Sequence, residues 1–385
     1  MFFWVKISLL TCIALGIATI SRAGLSNPGA AGEEMSIDSL IVSITHANEQ
    51  LSYSGQFVQR RFHAGKPLQM QVEIQHWAPN RTLLRFLQPD ELQGTVIAIS
   101  GDQFKVTGVK HIVRGLRFGA PSQWLKGQKI FREIRLLKQN YRIRAQNGGE
   151  FLGRSTLLLS ILPNYPNRPE LKLWVDRQSH LILKMQRLSP IRGASETNEF
   201  TRLVLQPPDT SQFRRVWASM DSVHTFKRRG WRKKQIETYK DLAEFFAAHN
   251  QTVLIPETIP AGFALREIRR LSRRHRTFLH FLYGDGLVYI SLFQHRSEGK
   301  MATRHHRDKK NRRQPPFTIV RGSRDKIQYS LMGEIPQQEL QSMAQSLIPI
   351  KKTGNSWSAY FIPALITIFV IAGIYYWRRR EAFRG

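Results

Sequence analysis

Alternation of apolar and polar side chains is the feature that most constrains the fold of this chain. In residues 68–77, Met70, Val72 and Ile74 each follow a glutamine or a glutamate. A period of two is the repeat of a β-strand that buries one face and exposes the other. Tight-turn sequences such as Gly101-Asp102 separate these runs, so consecutive strands are predicted to pair antiparallel.

The first domain is predicted to span residues 35–206. Apolar residues at helical spacing within 36–51 predict one helix, and the alternating runs that follow predict about eight or nine antiparallel strands. Apolar residues between 124 and 137 predict a further, strongly basic helix. So many strands behind a single N-terminal helix indicate an α+β fold built on a strongly curved sheet, a half-barrel.

A linker and a smaller domain are predicted to follow. Residues 207–249 begin with two prolines, contain the basic run 227–234 and end in a short helix at 239–248. Residues 250–350 are predicted to form a C-terminal α+β domain with a helix at 336–347. Its predicted strands are 264–271, 277–283, 287–293, 318–320 and 327–333.

A long apolar stretch lies near the C-terminus. Residues 358–377 carry no charge and have aromatic residues at both ends, and their length suits a hydrocarbon core about 30 Å thick. The basic tail 378–385, which begins with three arginines, favours a cytoplasmic location for that end. These features predict a transmembrane helix, and a buried core helix is the alternative.

The N-terminal sequence predicts export. Residues 1–23 contain Lys6, an apolar run at 7–20 and a small-x-small motif that ends at Ala23, which is the layout of a secretory signal peptide. An uncleaved anchor is the alternative. With the C-terminal helix, this predicts a single-pass protein of the cytoplasmic (inner) membrane whose bulk lies in the periplasm.

Composition narrows the classes of partner. Cys12 is the only cysteine, so an exported and cleaved chain would have neither disulfides nor thiol chemistry. The chain has 58 Lys and Arg against 28 Asp and Glu, a net charge of +30, which attracts polyanions. Export and an anchor argue against nucleic acid and leave anionic lipid, lipopolysaccharide or acidic peptides. A general basic bias of the organism's proteins would also explain the charge.

Motifs for chemistry are missing from the sequence. It contains no G-x-S-x-G elbow, no H-E-x-x-H motif and no phosphate-binding glycine loop. His305 and His306 lie in a basic segment where Asp308 is the only nearby acidic residue, which is a poor metal site. No catalytic residue, metal site or cofactor is therefore predicted, and the chain is not expected to be an enzyme.

Binding is the remaining interpretation. The concave face of a curved sheet can form an open trough when large apolar side chains line it. The residues predicted to line this trough are Tyr53, Phe57, Met70, Val72, Ile74, Phe86 and Trp174, with Trp77, Ile97, Phe104 and Met185 as further candidates. The alternative is that these side chains pack against the N-terminal helix as ordinary core.

Several short motifs, in order, resemble the MucB/RseB family of sigma-factor regulators. In the first domain they are Tyr-Ser-Gly at 53–55 and the hairpin sequence at 171–184. In the second domain, Ile-Pro-Ala-Gly-Phe at 259–263 is similar to that family's P-x-G-F signature, and 281–293 resembles its Y-S-D-G-L signature. Met-Gly-Glu-Ile-Pro at 332–336 resembles its V-G-E-[LI]-P segment.

The resemblance implies a function without catalysis. Proteins of this family bind the outer part of a membrane-spanning anti-sigma factor and shield it from proteolysis, until an envelope signal such as lipopolysaccharide or lipoprotein releases it. It also implies Tyr283, Gly284, Asp285 and Gly286 as a partner-contact motif. The first domain further resembles LolA-type lipoprotein carriers. A carrier or chaperone for lipidated or amphiphilic ligands is therefore the alternative function.

Overall fold

The computed structural model describes residues 35–63, 66–108, 130–190, 195–220, 224–225, 236–273, 276–296 and 317–352. The predicted signal peptide, the predicted transmembrane helix and the predicted basic tail lie outside these residues, as do the predicted helical residues before 130 and the histidines at 305–306. Among the residues described, no helix is both long enough and apolar enough to cross a membrane.

The first domain contains an 11-stranded antiparallel sheet with the order β11-β5-β4-β3-β2-β1-β10-β9-β8-β7-β6. This confirms the predicted antiparallel sheet, although the strands exceed the expected number, partly because β11 comes from the predicted linker. The strands are β1 (Tyr53–His63), β2 (Lys66–Trp77), β3 (Arg81–Gln88), β4 (Val96–Ser100), β5 (Gln103–Thr107), β6 (Tyr141–Phe151), β7 (Arg154–Pro163), β8 (Glu170–Asp176), β9 (Ile182–Leu188), β10 (Ser195–Val204) and β11 (His224–Thr225).

Two meanders make up this sheet. Strands β1 to β5 are successive neighbours, as are β6 to β10, and the antiparallel pair β1–β10 joins the two sets. In that pair Phe57 lies opposite Phe200, next to a register shift at Gln56. The sheet is open, because β11 and β6 lie at its two ends and do not pair with each other.

The helices between and around the strands are short. Apart from a 3-10 turn at Asp90–Leu92, the described helices are α1 (Ile37–Gln50), α2 (Ile134–Asn140), α3 (Thr210–Ser219), α4 (Leu242–Ala248) and α5 (Gln337–Gln345). The predicted N-terminal helix is thus confirmed as α1, and the helices predicted at 239–248 and 336–347 are confirmed as α4 and α5.

Helix α1 packs on one face of the first sheet. Its buried residues Leu40, Ile41 and Ile44 share a core with the apolar side chains of β1 to β4 and β7 to β10. Buried hydrogen bonds also fix the end of the helix: the Tyr53 hydroxyl donates to Asn48 Oδ1 at 2.9 Å, and His76 Nε2 lies 2.7 Å from the Asn48 carbonyl. That carbonyl can only accept, so Nε2 carries the ring hydrogen.

Helix α3 covers the opposite face of the same sheet. Phe213 packs against Trp77 with ring centroids 5.3 Å apart, in a cluster that also contains Leu83. The Trp77 indole donates to the Pro208 carbonyl at 2.8 Å. Residues 207–220, which were predicted as linker, therefore include a helix that packs on the first sheet. Asp209 begins α3 by accepting a hydrogen bond from the Ser211 amide at 2.8 Å.

The second domain contains a six-stranded antiparallel sheet with the order β12-β14-β15-β16-β18-β17, and a separate pair, β13–β19. Gln294 joins the two, because its side chain bonds both the amide and the carbonyl of Leu254. Helices α4 and α5 complete the core. The strands are β12 (Ile236–Tyr239), β13 (Val253–Pro256), β14 (Ala264–Arg273), β15 (Arg276–Gly284), β16 (Tyr289–Arg296), β17 (Thr318–Arg324), β18 (Ile327–Gly333) and β19 (Leu347–Ile350).

The packing of α3 gives a first prediction. Phe213 is 6% exposed, so Phe213→Ala should lower the free energy of unfolding by about 3 kcal/mol, since it removes a buried ring and leaves a cavity. Phe62, which is 46% exposed on β1, provides the control, and Phe62→Ala should change that energy by about 0.5 kcal/mol at most. Urea denaturation measures both, and equal effects would show that α3 does not stabilise the sheet.

Candidate functional site at the joint between the domains

A buried carboxylate, Asp285, lies where the second domain meets the first. It occupies the turn between β15 and β16 and is 1% exposed. Its Oδ1 accepts hydrogen bonds from the amides of Leu287 and Val288, both at 2.8 Å. Its Oδ2 accepts a 2.8 Å bond from the hydroxyl of Tyr141, which begins β6 of the first domain. The turn that orients the carboxylate thus belongs to one domain and its hydroxyl donor to the other.

Arg168 supplies the positive charge of the joint. It belongs to the first domain, precedes β8 and is 6% exposed. Its Nε lies 3.8 Å from Asp285 Oδ2, and its Nη2 lies 2.9 Å from Glu339 Oε2 on α5. Nη2 also donates to the Ala261 carbonyl at 3.1 Å, and the guanidinium lies 4.9 Å from the centre of the Phe263 ring. One side chain therefore contacts three segments of the second domain.

Helix α2 forms the other half of the contact. Its last residue, Asn140, donates from Nδ2 to the carbonyls of Gly262 at 2.8 Å and Asp285 at 2.9 Å. Gly286 has φ +105° and lies so close to α2 that a Cβ there would be 2.4 Å from the Leu137 amide nitrogen. Only glycine suits both conditions. The next residue, Leu287, packs against the core of the first domain.

Two ion pairs lie at the edge of the joint. Arg187 on β9 lies 2.8 Å from Glu334, which follows β18, and Arg266 on β14 lies 3.1 Å from Glu133, which precedes α2. Their side chains are partly exposed, so water screens them more than it screens the central charges. The first domain supplies the arginine of one pair, and the second domain supplies the arginine of the other. Together they add two further contacts between the domains at the periphery of the joint.

The polar groups of the joint hold the two domains together by hydrogen bonds and charge. Burial raises the pKa of the Tyr141 phenol well above its usual value, and the adjacent Asp285 charge and the hydrogen bond to it add to the rise. The phenol therefore stays protonated and donates. In the described part of the chain, no group of three or more His, Cys, Asp or Glu could hold a metal ion.

Comparisons with known proteins identify both domains. The model of the MucB/RseB N-terminal domain matches residues 36–220, and that of the MucB/RseB C-terminal domain matches residues 249–348. The chain belongs to the MucB/RseB family. No curated protein sequence matches it.

Solved structures show the same MucB/RseB fold. The crystal structure of MucB in complex with MucA(peri) is 20% identical with a TM-score of 0.50, and the match covers 81% of this chain and 98% of that one. The MucA/MucB complex of Pseudomonas aeruginosa is 21% identical, also with a TM-score of 0.50, and covers 80% and 97%. A LolA superfamily protein from Nitrosomonas europaea is 10% identical with a TM-score of 0.26 and covers 46% and 96%, a likeness too weak to support an argument.

The MucB/RseB signatures coincide with the joint. The segment 259–263 supplies the Gly262 carbonyl and the Phe263 ring, and the segment 281–293 supplies Asp285 with its turn. The segment 332–336 supplies Glu334 at the rim. The motifs that carry the family resemblance in the second domain are thus the ones that contact the first domain.

The predicted partner-contact motif lies partly in this joint. Tyr283, Gly284, Asp285 and Gly286 are all buried. The Tyr283 hydroxyl has no hydrogen-bond partner among the described residues, and burial raises its pKa. Tyr283 lies in the core of the second domain, whereas Asp285 and Gly286 contact the first domain. The role of these four residues in partner binding stays a prediction.

Most residues predicted to line the apolar trough lie in the core beneath α1. Tyr53, Phe57, Val72, Ile74 and Phe86 are buried there, and Met70 is partly buried against them. Trp174 lies on the other face of the sheet, 5.0 Å from Lys184 Nζ. Of the further candidates, Ile97 and Met185 belong to the same core, Phe104 packs against it, and Trp77 belongs to the cluster under α3. A trough open to ligands stays a prediction.

The sequence did not reveal the first-domain half of the joint. Asn140, Tyr141 and Arg168 carry it, yet no motif marks Asn140 or Tyr141, and Arg168 lies in a turn-like sequence between two prolines. Tyr141 and Asp285 are 144 positions apart, and no local pattern indicates such a contact. The sequence feature that could have indicated this contact is Arg168, a charged residue in a segment without apolar periodicity.

The buried ion pair gives a second prediction. Arg168→Met keeps the side-chain volume but leaves Asp285 buried without its cation, so the free energy of unfolding should fall by about 3 kcal/mol. The exposed pair Arg85–Glu73, at 3.5 Å, is the control, and Arg85→Met should cost about 1 kcal/mol at most. In urea denaturation, adding Asp285→Asn to Arg168→Met should cost less than the sum of the single changes. Full additivity would show that the two charges are not coupled.

The close approach at Gly286 gives a third prediction. Gly286→Ala combines a strained φ with a clash against α2, whereas Gly149 has φ +72° and a Cβ added there would meet no atom within 4 Å. Gly149→Ala is therefore the control for strain alone, which costs about 1–3 kcal/mol. Gly286→Ala should cost more than this and should speed hydrogen exchange at the Leu287 and Val288 amides. If both variants lose the same stability, the domains do not pack closely at this glycine.

Proposed function

We propose that this protein is a non-enzymatic regulator that binds the periplasmic part of a membrane anti-sigma factor. The observation that carries the proposal is the match of both MucB/RseB domains, in order, over residues 36–220 and 249–348. The solved MucB that shares this fold over 98% of its length is in a complex with MucA(peri). A two-domain body held by a buried joint suits a protein whose task is to present one fixed binding surface.

The proposed location is the outer side of the cytoplasmic membrane. The support is the sequence: residues 1–23 have the layout of a signal peptide and 358–377 that of a membrane span. The second domain ends with β19 at Ile350. An extended chain covers at most about 3.5 Å per residue, so the few residues before 358 would hold this domain close to the membrane. The periplasmic part of a single-span anti-sigma factor begins at that same surface.

The proposed signal is a lipid, lipopolysaccharide or lipoprotein that displaces the anti-sigma factor. The net charge of +30 favours phosphorylated head groups, and the apolar core between α1 and the first sheet suits acyl chains. Phe57 and Val72 are buried in that core. An acyl chain would therefore have to open the core, which links lipid binding to a change of conformation.

The first experiment is capture of partners by the full-length chain. The tagged protein is purified from envelopes in mild detergent and washed at high salt, because a charge of +30 retains polyanions that salt removes. Mass spectrometry then identifies the bound proteins and lipids. We expect a single-span anti-sigma factor that co-purifies in stoichiometric amount and whose periplasmic part becomes resistant to protease. A tagged membrane protein of similar charge and unrelated fold is the control.

The outcomes separate the two candidate functions. An anti-sigma factor bound to this chain and not to the control would support the regulator, and adding lipopolysaccharide or acylated lipoprotein should then release it. Lipoproteins or acyl lipids without any anti-sigma factor would contradict the regulator. That result would favour the LolA-like carrier, which rests on the resemblance of the first domain.

A further inference from the structure

Strand β6 is a long sheet edge that the described structure leaves uncovered. It lies at one end of the first sheet and pairs only with β7. It spans 11 residues, whereas the other outer strands of the two large sheets, β11, β12 and β17, span 2, 4 and 7. Along β6, positions 142, 144–147, 149 and 150 are exposed. An edge strand carries backbone donors and acceptors on its free side, and these can form a ladder with another extended chain.

The side chains of this edge are basic on one face and apolar on the other. Arg142 and Arg144 lie opposite Leu162 and Ser160 of β7, on one face, and neither forms an ion pair with another described residue. Ile143 and Ala145 lie on the other face, where Ile143 packs against the core of the domain. Residues two apart on a strand share a face. The edge thus offers two cations on one side and an apolar border on the other.

These charges determine what the edge can accept. A second copy of β6 would place arginine near arginine, and like charges across a strand pair destabilise it. A segment with carboxylates at alternate positions would instead face Arg142 and Arg144. If its intervening residues are apolar, they would extend the core beside Ile143 and Ala145. The register shift between Asn147 and Gly149 ends the regular ladder, which limits the usable edge to 141–147.

We propose that β6 binds, by strand addition, an extended segment of the anti-sigma factor's periplasmic part in which acidic and apolar residues alternate. This inference rests on the proposed function and specifies the partner surface within it. The edge begins at Tyr141, whose hydroxyl is bonded to Asp285. A strand added there would therefore lie directly beside the joint between the domains.

The test uses the full-length protein in detergent and the periplasmic part of the anti-sigma factor recovered with it. The variant is Arg142→Glu with Arg144→Glu. The matched control is Arg214→Glu with Arg215→Glu, which makes the same charge change at exposed positions of α3. We expect the edge variant to weaken binding about tenfold or more, because it sets like charges against each other across the interface. The control should bind within about twofold of the wild type, as expected for charges outside an interface.

Hydrogen exchange provides a readout specific to strand addition. Amides of 141–147 that face the free edge should exchange quickly in the wild type alone and become protected when the partner binds. Unchanged exchange in β6, or equal binding by the edge variant and the wild type, would overturn the proposal while leaving the regulator function intact. If the wild type binds no anti-sigma factor, the proposed function fails, and the strand-addition proposal fails with it.

Discussion

The carboxylate of Asp285 is the group on which the relation between the two domains depends. It is almost completely removed from water and is compensated by Arg168, Tyr141 and the amides of its own turn. A buried charge is tolerated only when its partners are in place, and the loss of one partner leaves the others uncompensated. An apolar interface of the same size could slide with little loss. Here a shift of the domains would separate Asp285 from Tyr141 and Arg168, which opposes such movement.

Helix α2 connects this polar joint to the apolar core of the first domain. It contributes Leu137 to the core and Asn140 to the joint, and Gly286 of the second domain packs on its backbone. This seven-residue helix thus contributes both to the apolar core of the first domain and to the polar contact between the domains. A change that displaced Leu137 would also move the donors that face Gly262 and Asp285. Helix α2 therefore couples the packing of the core beneath α1 to the docking of the second domain.

Local patterns predicted the strands well and the long-range contacts poorly. The hairpin of β8 and β9 was visible because alternation and a turn sequence both lie within one short segment. Helix α3 was missed because two prolines precede it and Arg214 and Arg215 give it the look of a linker, while its apolar contacts come from Trp77 and Leu83 far away in sequence. The signature around Asp285 was recognised, but its docking role depends on Tyr141 and Arg168, which no spacing rule connects to it. Local apolar patterns thus predicted the strands, whereas the docking of the two domains depends on buried charged and polar contacts that those patterns do not show.

The pairing of β1 with β10 can form only late in synthesis of the chain, because the two strands are far apart in sequence. Each meander needs only contacts between neighbours in sequence, but Phe57 reaches Phe200 only after the chain has been made past residue 204. Contacts of such separation form slowly, since a long loop must close before they can form. Until then the N-terminal meander exposes β1 as an unpaired, partly apolar edge. Nascent chains with such edges are prone to aggregate, so this protein is most vulnerable between the synthesis of its first strand and the arrival of its tenth.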